Sequence, residues 1–133
     1  NVLPASNSVM CLNLLKLGTL FQNERYISIS KQMLLNVYDG MEKYGSGYSN
    51  WAIALMNFTD GFKEIAITGP FWKENLKQVN NKYLPNSIVS GGLQSSLPSF
   101  QGKDMSVNQF FVCENNTCTL PQTDINTYLE SLG

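Results

Sequence analysis

The sequence predicts a mixed α+β chain in two parts: a helical part over residues 1–61 and a small α/β part over residues 62–133. Three observations carry that prediction. Apolar residues recur with a helical period through the first part. The period then changes to short apolar runs bounded by Gly, Pro and Asn. Those runs fall in the order strand, helix, strand, then strand, strand, helix.

Residues 5–21 form the first predicted helix. Met10, Leu14, Leu17 and Phe21 recur at i, i+4, i+7 and i+11, and Val9, Leu12 and Leu15 widen the stripe. Its apolar residues cover most of the circumference, so burial on more than one side is expected. Asn7 or Ser6 is the expected cap after Pro4, and Gly18 weakens the last turn. Residues 24–44 read as a second helix with Tyr26, Ile29, Met33, Val37 and Met41 on one face and Ile27, Leu34 and Tyr38 beside it. The short join at Gln22-Asn23 makes the two helices antiparallel neighbours. Gly45-Ser46-Gly47 ends the second helix. A third spans residues 49–59, with Trp51, Ala52, Leu55 and Met56, and stops at Asp60-Gly61.

Residues 64–68 (Glu-Ile-Ala-Ile-Thr) read as a buried strand ending at Gly69. Pro70 suits a helix start, and a helix over 71–83 follows, with Leu76, Val79, Tyr83 and Leu84 inward. A second strand at 87–90 completes a right-handed βαβ unit with parallel strands. Residues 91–108 are a loop rich in Gly, Ser and Pro. Strands at 109–113 and 117–120 flank a turn at Asn115-Asn116. A last helix starts at Thr123 or Asp124 and runs to Leu132, with Ile125, Tyr128, Leu129 and Leu132 on one face. Val112 and Leu120 are expected to face the core beneath it. Pro121 is expected to end the strand pairing, since it has no N–H for the ladder. The order βαβ–ββα matches the core of a thioredoxin-like topology. Such folds place a redox Cys-x-x-Cys where the first helix begins. Here that place reads Gly69-Pro70-Phe71-Trp72-Lys73, so redox chemistry there is excluded. Phe71 and Trp72 read as an anchor against the helical part.

Composition narrows the function. Charged residues make up 14% of the 133, against about 25% in ordinary soluble domains. Part of the surface is therefore expected to be covered. Net charge is −1 without a basic run, so neither nucleic acid nor an acidic membrane is an expected partner. No apolar stretch approaches the roughly 20 residues of a membrane span. There is no histidine, which removes Ser-His and Cys-His nucleophile pairs and most zinc sites. No Gly-rich phosphate loop is present, and no cofactor or metal is expected. The chain opens at Asn1 rather than Met, which points to a piece of a longer protein whose targeting signal lies elsewhere. Cytoplasmic location is the expectation.

Cys113 and Cys118 flank the turn in Val-Cys-Glu-Asn-Asn-Thr-Cys-Thr-Leu-Pro, residues 112–121. Near the ends of facing strands they can be close enough for a disulfide if their Cα atoms lie about 5.5 Å apart. The first expectation is a pair of reduced thiols used for packing, as is usual in the cytoplasm; a disulfide is the second, and a redox or metal role the third. A catalytic thiol needs a cationic neighbour or a helix N-terminus, and the nearest charge in sequence is Glu114. Asn57-Phe58-Thr59 and Asn115-Asn116-Thr117 match the glycosylation pattern, and read as chance matches.

Five segments in order carry a resemblance: Asn1-Val2-Leu3-Pro4-Ala5-Ser6-Asn7-Ser8, Gly47-Tyr48-Ser49-Asn50-Trp51, Glu64-Ile65-Ala66-Ile67-Thr68-Gly69, Tyr83-Leu84-Pro85-Asn86, and the residues 112–121 segment. Together the chain resembles the C-terminal end of the thioredoxin-domain-containing family of bacterial YyaL and the animal spermatogenesis-associated protein 20. Members resemble a thioredoxin-like domain, then an α/α toroid like that of N-acylglucosamine 2-epimerases and six-hairpin glycosidases, then a small C-terminal domain. The resemblance implies that this chain holds the last toroid helices and that C-terminal domain. The family's usual Pro-Ser-Gly-Asn is replaced here by Pro4-Ala5-Ser6-Asn7. It further implies that Asn7, Ser8, Tyr48, Asn50 and Trp51, at helix N-terminal ends, surround a cavity. Capping for Asn7 and core packing for Trp51 are the readings from the residues themselves.

The expected role is structural: closing a toroid and capping it, with the rest of its own polypeptide as partner. One alternative is that these residues contribute to the cavity of a sugar-modifying enzyme, with carbohydrate as ligand. Another is an accessory part of a thioredoxin-type redox or chaperone protein. No catalytic residue is expected in this segment, and its apolar helices are expected to stay exposed or to associate as a homo-oligomer.

Overall fold

The computed structural model describes residues 5–131; residues 1–4 of the first resembling segment and the inward placing of Leu132 lie outside the described residues. The fold is α+β, with the helices before a four-stranded mixed sheet. Two compact units divide between Phe62 and Lys63.

The first unit holds α1 (Ser6–Phe21), α2 (Glu24–Leu35), α3 (Tyr38–Lys43), a 3-10 turn (Gly45–Tyr48) and α4 (Ser49–Thr59). The cap of α1 is Ala5, without a side-chain bond. Neither Asn7 nor Ser6 takes that role, because the helix already includes them. Gln22 ends α1 in the left-handed region, with its N–H and that of Asn23 turned back to Thr19 and Gly18 carbonyls. Asn23 then caps α2, its side chain accepting from the N–H groups of Arg25 and Tyr26.

The stripe expected to bury α1 points the wrong way. Ser8, Cys11, Leu15 and Gly18 face inward, while Met10, Leu17 and Phe21 are 51%, 41% and 54% exposed. The physical reason is close approach. A Cβ on Gly18 would stand 2.6 Å from Ile27 Cγ1 and 3.1 Å from the Ile27 backbone nitrogen. The small-residue face lets α1 and α2 nest at a distance that a Met or Phe face forbids. Cys11 and Ser30 seal the contact: the Ser30 hydroxyl donates to the Cys11 carbonyl at 2.7 Å, and both side chains are fully buried.

The single helix expected over 24–44 is two. The ladder breaks at Asn36-Val37, where the Val37 N–H reaches only to Leu34. Asn, β-branched Val and Gly40 are weak helix formers in one short run. The face is also rotated: Met33, Leu34, Val37 and Met41 pack with Cys11, Trp51 and Ala54, whereas Tyr26 and Ile29 stay exposed.

The second unit contains β1 (Lys63–Thr68), α5 (Trp72–Asn80), β2 (Ser87–Gly91), a 3-10 turn (Pro98–Phe100), β3 (Gln109–Glu114), β4 (Thr117–Cys118) and α6 (Ile125–Ser131). The sheet order is β2-β1-β3-β4, with β1 parallel to β2 and antiparallel to β3. The expected βαβ–ββα order is present. β1 is central, and its residues from Glu64 to Thr68 are all buried. Ile65 and Ile67 lie on the first face with Val79, Phe110 and Tyr128, beneath α5 and α6. Ala66 lies on the second face with Phe111, Cys113 and Phe100. There the cover is the segment 92–108, through Leu97, Phe100 and Met105.

Several details differ from expectation. α5 ends at Asn80, so Tyr83 is 89% exposed rather than inward. Trp72 packs on the first-face core of its own unit, and Phe71 is exposed. Asp124 caps α6, its carboxylate accepting from the Thr127 N–H at 2.8 Å; that bond and the one from the Thr127 hydroxyl hold the Asp124 carboxyl below the usual carboxylate range. Ile125, Tyr128 and Leu129 face the core as expected. Leu120 does not: it is 87% exposed. Cys118 pairs with Cys113, yet the next bridge joins Phe110 to Gln122. The same register sets Thr119 opposite Val112, its N–H donating to the Val112 carbonyl, so strand alternation keeps Leu120 off the face that Val112 shares. One extra residue, a β-bulge, then precedes the Phe110–Gln122 bridge. Pairing therefore resumes beyond Pro121 instead of ending there.

Candidate functional site

Asn115 and Asn116 make the tip of the β3–β4 hairpin, with φ of 48° and 61°. Two consecutive left-handed residues form the type I′ turn that matches strand twist, and Asn tolerates it. Glu114 then pairs with Thr117, and Cys113 with Cys118. The two cysteines form a disulfide with a Cα–Cα distance of 3.9 Å. This corrects the expectation of reduced packing thiols; the hairpin itself is as expected. Cys113 is 5% exposed and packs with Ala66, Phe100 and Phe111. Cys118 is half-buried on the two-residue edge strand.

Beside this bond stands a residue the sequence did not single out. Glu64 on β1 is the register partner of Cys113 across the antiparallel pair. The row across three strands is Glu64, Cys113, Cys118. Glu64 is 2% exposed. Its Oε1 accepts from Ser99 Oγ at 2.6 Å and from Ser90 Oγ at 2.8 Å. Ser99 comes from the 92–108 segment, so the carboxyl group fastens that segment to the sheet. Lys103, from the same segment, lies over the Phe111 ring at 4.3 Å. Partial burial lowers its pKa, and the nearby Glu64 charge opposes that. The only sequence signal for Glu64 was its place in a strand that turned out central. A strand covered on both faces has no solvent side, so any charged residue in it must find partners inside.

The Gly69-Pro70-Phe71 corner is built for close approach. Gly69 has φ +93°, and a Cβ there would meet the Asn108 backbone nitrogen at 2.4 Å. Asn108 Oδ1 accepts the Phe71 N–H at 2.9 Å. The corner holds no cysteine, as the sequence requires.

The five cavity candidates have separate fates. Asn50 Nδ2 donates to Ser8 Oγ at 2.8 Å, and Ser8 Oγ donates to the Ala5 carbonyl at 2.7 Å. Ser8 is fully buried and Trp51 lies in the helical core. Tyr48 is half-buried, seated where Gly40 lacks a side chain. Asn7 is exposed. Ser8 and Asn50 are joined by that hydrogen bond, and Tyr48 packs against the helical core that contains Trp51. Asn57 is 4% exposed, which leaves it inaccessible as a glycosylation acceptor. Among the described residues, no cluster of three or more His, Cys, Asp or Glu could hold a metal ion, and no helix is long and apolar enough to cross a membrane.

No protein-family model, curated protein or solved structure matches this chain.

Proposed function

We propose that this chain is a structural segment of a larger polypeptide, its first unit supplying helices to an α/α toroid and its second unit forming a small terminal domain. One observation carries the reading. α1 turns Ser8, Cys11, Leu15 and Gly18 inward and leaves Met10, Leu17 and Phe21 exposed. Leu35, Ile53 and Met56 on α2 and α4 are exposed as well, at 55%, 48% and 50%. Covering such a side chain gains about 1.5–3 kcal/mol. Met10, Leu17 and Phe21 recur at i, i+7 and i+11 on one side of α1. A continuous apolar face supports an interaction surface, and the low charged fraction agrees with it. Helices that bury two faces are what a toroid uses. Within this reading, Asn7, Tyr48 and Asn50 are the residues left to line a cavity, for which carbohydrate is the ligand class the resemblance implies.

The test is the intact mass of the native polypeptide that carries this sequence. The reading requires a mass well above 14.9 kDa; a native chain of that size would refute it.

A further inference from the structure

We propose that Cys113 and Cys118 form a reversible dithiol–disulfide couple, with the Glu64 carboxyl group relaying the Cys113 proton and a dithiol as the exchange partner. This goes beyond the structural reading and does not depend on it.

Three observations converge. First, the bond joins residues that the hairpin already pairs, at a sequence separation of 5. A disulfide stabilises most when it closes a long loop. Here the Asn115-Asn116 turn and the ladder bring the sulfurs together without help, so the couple can open without loss of the sheet. Second, the two sulfurs differ in access. Cys118 is half-buried on an edge strand, while Cys113 is 5% exposed. An incoming thiolate has one sulfur to attack. Third, Glu64 faces Cys113 in register, 2% exposed and held by two hydroxyl donors. Lys103 completes the polar set on this face, its charge coupled to Glu64.

The exchange balances without a further reagent. A thiolate of the partner dithiol attacks Cys118 Sγ, the Cys113–Cys118 bond breaks, and Cys113 leaves as a thiolate that takes a proton through Glu64. The partner's second thiolate then attacks its own sulfur in the mixed disulfide. Cys118 leaves and is protonated from solvent. Two electrons pass to the chain, and the partner becomes a disulfide. In reverse, Glu64 accepts the Cys113 proton as that sulfur attacks the mixed disulfide. The couple stands apart from the Gly69–Lys73 corner, where a thioredoxin-like fold carries its cysteines.

The test treats the folded chain with dithiothreitol in the absence of denaturant, then alkylates after unfolding and reads intact mass. The natural chain is expected to gain two labels beyond Cys11, to lose them again with oxidised glutathione, and to keep its far-UV spectrum throughout. Rates are normalised to the same dithiol acting on oxidised glutathione, which removes the dithiol's own ionisation. Glu64→Gln is expected to slow the normalised rate on the order of 100-fold, the low end for a positioned acid–base group, and to flatten its pH profile. Glu64→Asp, which keeps the carboxyl group, is expected to retain the pH dependence. A bond that resists dithiothreitol until urea is added overturns the couple, whatever the variants do. A Glu64→Gln rate within about twofold of the natural one, with the same pH profile, overturns the relay.

Discussion

Glu64 and Cys113 stand directly opposite one another on the central pair of strands, a buried carboxyl group beside a buried half-cystine. The carboxyl group also holds Ser99, and through it the segment that covers the second face of the sheet. Replacing Glu64 by Ala strands two hydroxyl donors and leaves a void. A loss of about 2–4 kcal/mol is expected in urea unfolding. Glu64→Gln keeps an acceptor and should cost less than half as much. Equal losses would mean that the hydrogen bonds to Ser90 and Ser99 contribute little.

Gly69→Ala tests the Gly69–Asn108 corner. The φ of +93° disfavours any side chain, and the new Cβ would strike the Asn108 backbone. A destabilisation of about 2–4 kcal/mol is expected by urea or thermal unfolding. A change below about 0.5 kcal/mol would show that the corner relaxes freely.

At Gly18 two effects oppose. In a helix interior Gly→Ala ordinarily gains about 1 kcal/mol. Here the added Cβ meets Ile27 at 2.6 Å, and overpacking costs about 1–3 kcal/mol. Gly18→Ala is therefore expected to destabilise on balance. A stabilised variant in thermal melts would show that α1 and α2 separate at little cost.

Much of the second unit was legible. The run Ile65-Ala66-Ile67 between a charge and a glycine marked a buried strand, and Asn115-Asn116 marked a turn because few other residues accept two left-handed positions. Leu120 was misplaced because the two-residue turn sets Thr119, and not Leu120, opposite Val112, a parity that the Asn115-Asn116 turn already implies. In α1 the apolar period was visible but its direction was not. Several apolar faces competed, and the choice fell to Gly18 and Cys11, whose smallness matters only once α2 is in place. Glu64 was read only as the first residue of a buried strand, and its partners Ser90 and Ser99 were not legible because they are set by the sheet and its cover, not by the segment.

Burial raises the pKa of the Cys11 thiol in the first unit and of the Tyr128 phenol in the second. In each case the folded state holds its proton to higher pH than the unfolded state. The stability is fully present below the unfolded values, about 8.5 for Cys and 10 for Tyr, and is lost as pH rises past them toward the folded ones. Cys11→Ala should weaken the alkaline fall of the first unit, and Tyr128→Phe that of the second, read by unfolding at pH 7 and pH 11. Unaltered alkaline slopes would contradict the assignment.

Removing the disulfide with Cys113→Ser and Cys118→Ser together is expected to cost about 2 kcal/mol, the amount a short closed loop allows. The far-UV spectrum should be kept. Collapse of the sheet would show that the hairpin depends on the bond.

The account rests most heavily on the outward face of α1, and oxidative footprinting reads it directly. Met10 and Phe21 are labelled in the isolated chain and in the native polypeptide, and the labelled residues are read by mass spectrometry. Strong labelling of both in the isolated chain, with protection of at least about tenfold in the native polypeptide, is the predicted result for apolar side chains that become fully covered. Equal labelling in the two would contradict the claim that this face is a joint with the rest of a larger protein.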